Sequence, residues 1–368
     1  MTNYLHKVLP PQYSHVNKVY CLLAATVFCA LPLCSTEAAA ENILKYDGTT
    51  NIHGNAKTWA AKNEYDGIDI RVTGVDGGYY TDTTEALVLN NQTLNVKGKG
   101  KFVSIINTAQ NKQIDNNGGI YAKGGSTVNF TDVDSIYIAA IAGKEGGNDS
   151  TVISAKDPGR DLKGYTNIVN ISGTTVQLIG SIDVMHSLGS VFFNRNARHT
   201  VNAALSGSDS FWYGSAIGET DERTTVNLSL ADGATWIFNA GKSTLNAGGI
   251  IRNLKLDKGV VLFADAEVWE TYRKTVIKGT DYVLANYRDH NERYSQVEIR
   301  SLTGPGGIFK MDLDWQSNNG ERQYTEKSDF ITIGTAEDGS HQIVEFDMGK
   351  AHLDEMKNGD KLYLSLIH

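Results

Sequence analysis

The chain has 368 residues, and its 34 Lys and Arg against 42 Asp and Glu give a formal net charge of −8. This acidic balance argues against general binding to nucleic acid or to anionic membranes, because both need a basic field. The three cysteines, Cys21, Cys29 and Cys34, all lie within the first 40 residues. Export as an unfolded chain would explain a cysteine-free remainder, although a polar chain can also lack cysteine by chance.

The N-terminus has the pattern of a secretory signal peptide. Lys7 and Lys18 supply a weakly basic start, residues 19–33 are apolar, and residues 38–40 are three alanines before Glu41. These features predict a signal peptide over residues 1–40 with cleavage near Glu41. The alternative is a lipoprotein acylated at Cys34.

The middle of the chain, residues 41–300, alternates apolar and polar side chains with a period of two. This period predicts half-buried strands rather than helices. Turn-forming Gly, Asn, Asp and Ser residues separate the predicted strands. The clearest pairs of apolar residues on one strand face are Leu94 and Val96, Ile136 and Ile138, Val176 and Leu178, Trp236 and Phe238, and Leu254 and Leu256.

A degenerate repeat begins several of these predicted strands. Thr-Val-Asn occurs at residues 127–129, 200–202 and 225–227, with Ile-Val-Asn at residues 168–170. Unequal repeats of this kind favour a β-solenoid. A β-sandwich also suits short alternating strands, and the repeat itself satisfies packing and turn chemistry without any function.

A polar segment at residues 143–164 interrupts the strand pattern. We interpret it as a loop that projects from the scaffold, which makes it a candidate for partner recognition. A tolerated surface insertion explains the same composition.

Catalytic and metal-binding patterns are weak, and the sequence predicts no catalytic, cofactor-binding or metal-ligating residue. Gly241-Lys242-Ser243 lacks the rest of a phosphate-binding loop. The combinations below are too small or too local to define a triad or a metal site. They are Asp183 with His186, Ser187 and Ser190; His290 with Glu292; and Asp312 with Asp314.

The last 68 residues, 301–368, carry alternating apolar residues and spaced glycines. The pattern runs through Leu302, Gly304, Gly306, Gly307, Phe309, Met311, Leu313, Asp314, Ser328, Asp329, Ile331, Ile333, Gly334, Ala336, Gly339, His341, Ile343, Gly359, Asp360, Leu362 and Leu364. It resembles the C-terminal passenger module of pertactin-like bacterial autotransporters.

The resemblance implies an all-β fold, a right-handed parallel β-helix (β-solenoid) over residues 41–300, capped by an autochaperone-type module over residues 301–368. That module would help the β-helix fold during secretion. The residues expected to form the folding cap are Gly306, Gly307, Phe309, Met311, Leu313, Asp329, Ile331, Ile333, Gly339, Leu362 and Leu364.

The resemblance also implies an exported protein at the cell surface or outside a Gram-negative-type bacterium, or in the periplasm if no translocator is supplied. An outer-membrane β-barrel translocator, encoded downstream or separately, is an expected partner. The expected function is non-enzymatic and adhesin-like, with a host or bacterial surface protein or glycan as ligand and no nucleic acid. The alternative is a β-helical lyase or hydrolase acting on polysaccharide, for which Asp66, Asp69 and Arg71 are available.

Overall fold

Parallel β-strands make up the regular structure of this chain. The computed structural model describes residues 42–51, 62–75, 83–109, 116–141, 149–156, 164–184, 197–218, 222–238, 248–263, 296–312 and 329–347. These residues contain no helix, and none of them belongs to a helix long and apolar enough to cross a membrane. The predicted all-β class is therefore confirmed for the described residues.

The strands are β1 Ile43–Asn51, β2 Gly67–Val75, β3 Thr83–Asn90, β4 Thr93–Lys97, β5 Phe102–Ala109, β6 Asn116–Lys123, β7 Thr127–Ile141, β8 Asp149–Ala155, β9 Thr166–Ile179, β10 Ser181–Asp183, β11 Arg198–Ser206, β12 Phe211–Gly214, β13 Ala216–Ile217, β14 Thr224–Ala231, β15 Thr235–Phe238, β16 Gly248–Phe263, β17 Gln296–Asp312, β18 Phe330–Ala336 and β19 Ile343–Asp347.

The strands form one 14-stranded and one 5-stranded sheet. Every strand pairing among the described residues is parallel. A β-sandwich is built from antiparallel sheets, so the sandwich alternative does not describe this part of the chain.

The larger sheet has two rows of pairing, because its long strands bend and contribute to both. The first part of β7 pairs with β4 and its second part pairs with β5. We call the row through β4, the first parts of β7 and β9, β11, β14 and the first part of β16 row 1. Row 2 runs through β1, β2, β5, the second parts of β7 and β9, β12, β15 and the second part of β16. The 5-stranded sheet, β3-β6-β8-β10-β13, is row 3.

Inward-facing apolar side chains of the three rows share one core. All ten residues of the predicted apolar pairs, Leu94 through Leu256, are buried. Inside row 2, Trp212 and Trp236 stack with ring centroids 5.1 Å apart and planes 5° apart. Each indole Nε1 also donates a 2.9 Å hydrogen bond to a backbone carbonyl, Gly180 O and Gly214 O respectively. The period of two therefore identified the buried face correctly.

The interpretation of residues 143–164 as a loop is wrong for its central part. Residues 149–155 form β8, which pairs in parallel with β6 and β10. Val152, Ile153 and Ala155 are buried in the core, and so is Ser154. The short strand was not predicted because polar residues lie on both sides of it in the sequence, although its apolar residues pack in the core.

Near the C-terminal end, β17 runs from Gln296 to Asp312, across the predicted domain boundary at Ser301. Its first part pairs with β18 and its last part with β19. Residues 40–368 constitute one compact unit. The division at residue 301 stays a prediction.

Candidate functional site: the asparagine face

A column of asparagines crosses row 1. Asn129 is the register partner of both Asn95 and Asn170 on the neighbouring strands. Asn202 is likewise the partner of Asn170 and of Asn227, and Asn227 pairs with Asn253. The asparagine column consists of Asn95, Asn129, Asn170, Asn202, Asn227 and Asn253.

The side-chain amides of the column are joined by hydrogen bonds that all run in one direction. Each Nδ2 donates to Oδ1 of the preceding member of the column. The donor–acceptor distances are 2.9 Å for Asn129 to Asn95, 2.7 Å for Asn170 to Asn129, 2.7 Å for Asn202 to Asn170, 2.7 Å for Asn227 to Asn202 and 2.6 Å for Asn253 to Asn227. Asn95 Nδ2 continues the direction by donating to Asn63 O over 3.1 Å.

The column lies on the outside of the molecule. Successive side chains of a strand point to opposite faces, and the neighbours of Asn202 in β11, Val201 and Ala203, are buried. Asn202 must therefore face outward, and it is half-buried. Hydroxyl-bearing side chains flank the column on the same face, at Thr93, Thr127, Thr200, Thr225, Thr131, Ser172 and Ser229.

A shallow groove of about 310 Å³ follows the column. Its lining includes Asn170, Asn202, Asn227 and Asn253, together with small residues next to them on the strands. One of these small residues, Ala204, is exposed. The described residues that line the groove are Thr131, Asn170, Ile171, Ser172, Asn202, Ala203, Ala204, Asn227, Leu228, Ser229, Asn253 and Lys255. They include no carboxylate, and Lys255 is their one cation.

The residues predicted to form the folding cap come together on the last three strands. Phe309 and Met311 are buried in β17, and Ile331 and Ile333 of β18 pack against the core. Asp329, which precedes β18, is also buried. Gly306 and Gly307 lie within β17, and Gly339 lies in the turn before β19. Leu313, Leu362 and Leu364 lie outside the described residues, and the capping role stays a prediction.

Gly306 and Gly307 occupy places where a side chain does not fit. A Cβ atom on Gly306 would lie 2.0 Å from the backbone oxygen of His341, and φ there is +151°. A Cβ atom on Gly307 would lie 2.6 Å from the backbone oxygen of Gly259. The glycine spacing read from the sequence thus corresponds to close backbone approaches on both sides of β17.

The acidic residues considered for an enzyme form ion pairs at the end of the larger sheet that β1 and β2 form. Asp66 binds Lys101, and Asp69 Oδ1 lies 3.7 Å from Arg71 Nε. The hydrogen bond from Lys101, with a second one from the backbone N–H of Asn42, lowers the pKa of the Asp66 carboxyl from its usual 3.8. A general acid needs the opposite shift, so Asp66 is poorly suited to that role.

Of the other sequence candidates, the described residues include Asp183 and, at the end of β17, Asp312. Asp183 lies in β10, where its carboxylate binds Lys156, whereas His186, Ser187 and Ser190 lie outside the described residues. Gly241-Lys242-Ser243, His290, Glu292 and Asp314 also lie outside them. Within the part of the chain that the structure describes, no group of three or more His, Cys, Asp or Glu could hold a metal ion.

Sequence reasoning found four members of the column and missed two. Asn129, Asn170, Asn202 and Asn227 belong to the Thr-Val-Asn repeat and its Ile-Val-Asn variant. Asn95 and Asn253 follow Leu94 and Arg252 instead. A search for asparagine before an apolar residue in each predicted strand would have found both.

No protein-family profile, curated protein or solved structure matches this chain.

Proposed function

We propose that this chain is the passenger of a pertactin-like autotransporter, an exported right-handed parallel β-helix that acts as an adhesin-like binding protein. The observation that carries the proposal is the continuous parallel stack with a regular polar outer face. Residues 1–40 would direct export, residues 41–300 would form the β-helix, and residues 301–368 would cap it and promote its folding. An outer-membrane translocator would be its export partner.

The order of strands supports the β-helix. The chain passes from β4 in row 1 to β5 in row 2 and β6 in row 3, and β7 then returns to row 1 beside β4. The next circuit repeats this order, since β7 supplies rows 1 and 2 and β8 supplies row 3. Parallel crossovers are right-handed in nearly all proteins, which supports the proposed hand.

Surface binding follows from what such a stack exposes. Most backbone groups of the inner strands are used in pairing with neighbouring strands, so recognition by the faces must come from side chains. Row 1 offers a polar, nearly uncharged face with a groove, which suits binding better than acid–base catalysis. A polysaccharide-acting enzyme would instead need carboxylates converging in the groove, and the described residues that line it supply none.

Adhesion can be tested with the protein purified after export from a Gram-negative host. Mass spectrometry should first show a mature chain that begins within a few residues of Glu41. Fluorescent beads coated with the folded protein should then bind a panel of host and bacterial cells more strongly than beads coated with urea-unfolded protein. Equal binding by both bead types would reject the adhesin function. Release of new reducing ends or unsaturated products from polysaccharides would favour the enzyme instead.

A further inference from the structure

The geometry points to a ligand for the asparagine face. We propose that the groove beside the asparagine column binds an extended, uncharged polysaccharide that lies along the column and crosses the strands of row 1. This inference rests on the proposed function, because the face must be exposed outside the cell to meet such a chain.

The first reason is the hydrogen-bonding capacity that the column leaves unused. A primary amide has two N–H donors and two acceptor lone pairs. Asn202 uses one N–H toward Asn170 and one lone pair toward Asn227. Because the amide is planar, its remaining N–H and lone pair point away from Cβ, which for an outward side chain means toward the solvent. Each inner member of the column therefore presents one donor and one acceptor.

The second reason is the regular spacing and the fixed orientation of these groups. Neighbouring strands lie about 4.8 Å apart, so the column from Asn95 to Asn253 extends over about 24 Å. The bonds between the amides hold their side-chain rotamers, so little side-chain entropy is lost when a ligand binds. A polysaccharide offers hydroxyl groups that both donate and accept at regular intervals, which complements a repeated donor–acceptor pair.

The third reason is charge. The described residues that line the groove include no carboxylate and one cation, Lys255. Anionic chains such as nucleic acids or sulfated glycans require several cations, and cationic chains require carboxylates. Electrostatic complementarity thus selects a neutral ligand that is recognised through hydrogen bonds.

The fourth reason disfavours a peptide in the groove. Extended peptides usually bind by adding a strand to an exposed sheet edge. The groove crosses the middle of row 1, where β11 is already paired on both sides, with β9 and β14. With the backbone groups of β11 engaged in this way, the groups of the groove that can bind a ligand through hydrogen bonds are side-chain amides and hydroxyls and the Lys255 ammonium.

The test uses the full-length protein in affinity electrophoresis through gels that contain hydroxyethylcellulose, yeast mannan or dextran, with heparin as the charged comparison. At least one neutral polysaccharide should retard the protein, and added salt should not abolish the retardation. Ala204→Ile fills the groove without removing an amide and should weaken the binding at least tenfold. Ser229→Ile repeats the test at another lining position.

The matched control is Ser135→Ile, which adds the same side chain at an exposed strand position on row 2, outside the lining of the groove. It should bind as the parent does. All variants should keep the parent's midpoint of urea unfolding. If Ala204→Ile or Ser229→Ile lowers that midpoint, the binding test is read from the other of these two variants.

The outcomes separate this inference from the proposed function. Coated beads that adhere to cells while no neutral polysaccharide retards the protein would overturn the inference and leave the adhesin intact. Binding that Ala204→Ile and Ser229→Ile leave unchanged would also overturn it. Salt-sensitive binding to heparin alone would do the same. Failure of both adhesion and retardation would reject the two proposals together.

Discussion

Asn202 Nδ2 donates a 2.7 Å hydrogen bond to Asn170 Oδ1 across 32 residues of sequence. The same asparagine accepts a 2.7 Å bond from Asn227 Nδ2, 25 residues further along the chain. One side chain therefore links three successive strands of row 1. The unequal sequence separations show that register in this fold is set by strand pairing rather than by a constant repeat length.

The first prediction concerns this column. Asn202→Ala removes two side-chain hydrogen bonds, whereas Asn253→Ala at the end of the column removes one, to Asn227. At about 0.5 to 1.5 kcal/mol for each bond, Asn202→Ala should lower the free energy of unfolding by about 1 to 3 kcal/mol. Asn253→Ala should cost about half as much. Urea unfolding followed by circular dichroism measures both, and equal losses would contradict the account in which each amide bond of the column contributes separately.

The second prediction concerns the aromatic stack in row 2. Trp212→Ala opens a cavity beside Trp236 and should cost about 3 to 5 kcal/mol. Trp212→Phe keeps an aromatic ring but loses the bond from Nε1 to Gly180 O, so its cost should be about 1 to 3 kcal/mol. Urea titration followed by tryptophan fluorescence orders the two variants. A Phe variant as damaged as the Ala variant would show that the stack contributes little.

The alternation of apolar and polar residues predicted the strands and their buried faces, but it did not predict which strands pair. The buried pairs such as Leu94 and Val96 follow directly from the period of two, and so does the outward position of Asn227. The pairing of Asn129 with Asn170 depends on how much chain lies between the strands, which local pattern does not encode. Strand β8 was missed because Gly, Asn and Asp residues flank its short apolar run. Its place in the fold depends on the burial of that run in the core, which the local sequence does not show.

Bends inside long strands were equally hidden. Strand β7 turns from row 1 to row 2 near Asp132, whose φ is +58°. Aspartate tolerates this left-handed conformation better than most residues, yet Asp132 stands between Thr131 and Val133 in a segment that reads as one strand. The groove was not predictable either, since it depends on small residues such as Ala204 lying beside amides from other strands.

The third prediction tests the C-terminal strands with two glycines. Gly306→Ala places Cβ 2.0 Å from His341 O and should displace the turn before β19. Gly339→Ala is the matched control, because φ there is +81° but nothing lies within 4 Å of the added Cβ. The control should cost about 1 to 2 kcal/mol of backbone strain, and Gly306→Ala should cost more. Hydrogen exchange should show lost amide protection in β18 and β19 for Gly306→Ala.

The same pair tests the proposed folding cap. If residues 301–368 template the upstream strands, Gly306→Ala should slow refolding from urea more than Gly339→Ala does. Refolding of both variants at the parent's rate, despite lost protection in β18 and β19, would show that these strands are not a template.

The fourth prediction is a pH dependence near Asp66. The pKa of its carboxyl is lowered in the folded protein by Lys101 and by the Asn42 N–H. The stabilisation is therefore fully present above the unfolded value near 3.8 and is lost as the pH falls through the lower folded value. Lys101→Met should raise the Asp66 pKa in an NMR titration. An unchanged pKa would mean that the ion pair does not persist in solution.

The parallel stack itself is tested by one distance. Spin labels at Lys97→Cys and Lys255→Cys, with Cys21, Cys29 and Cys34 replaced by serine in the full-length chain, lie beside the two ends of the asparagine column. Five strand spacings separate these positions, so double electron–electron resonance should give a narrow distribution centred at about 24 Å, widened by the label linkers. A broad distribution, or a centre displaced by more than about two strand spacings, would contradict the continuous parallel stack.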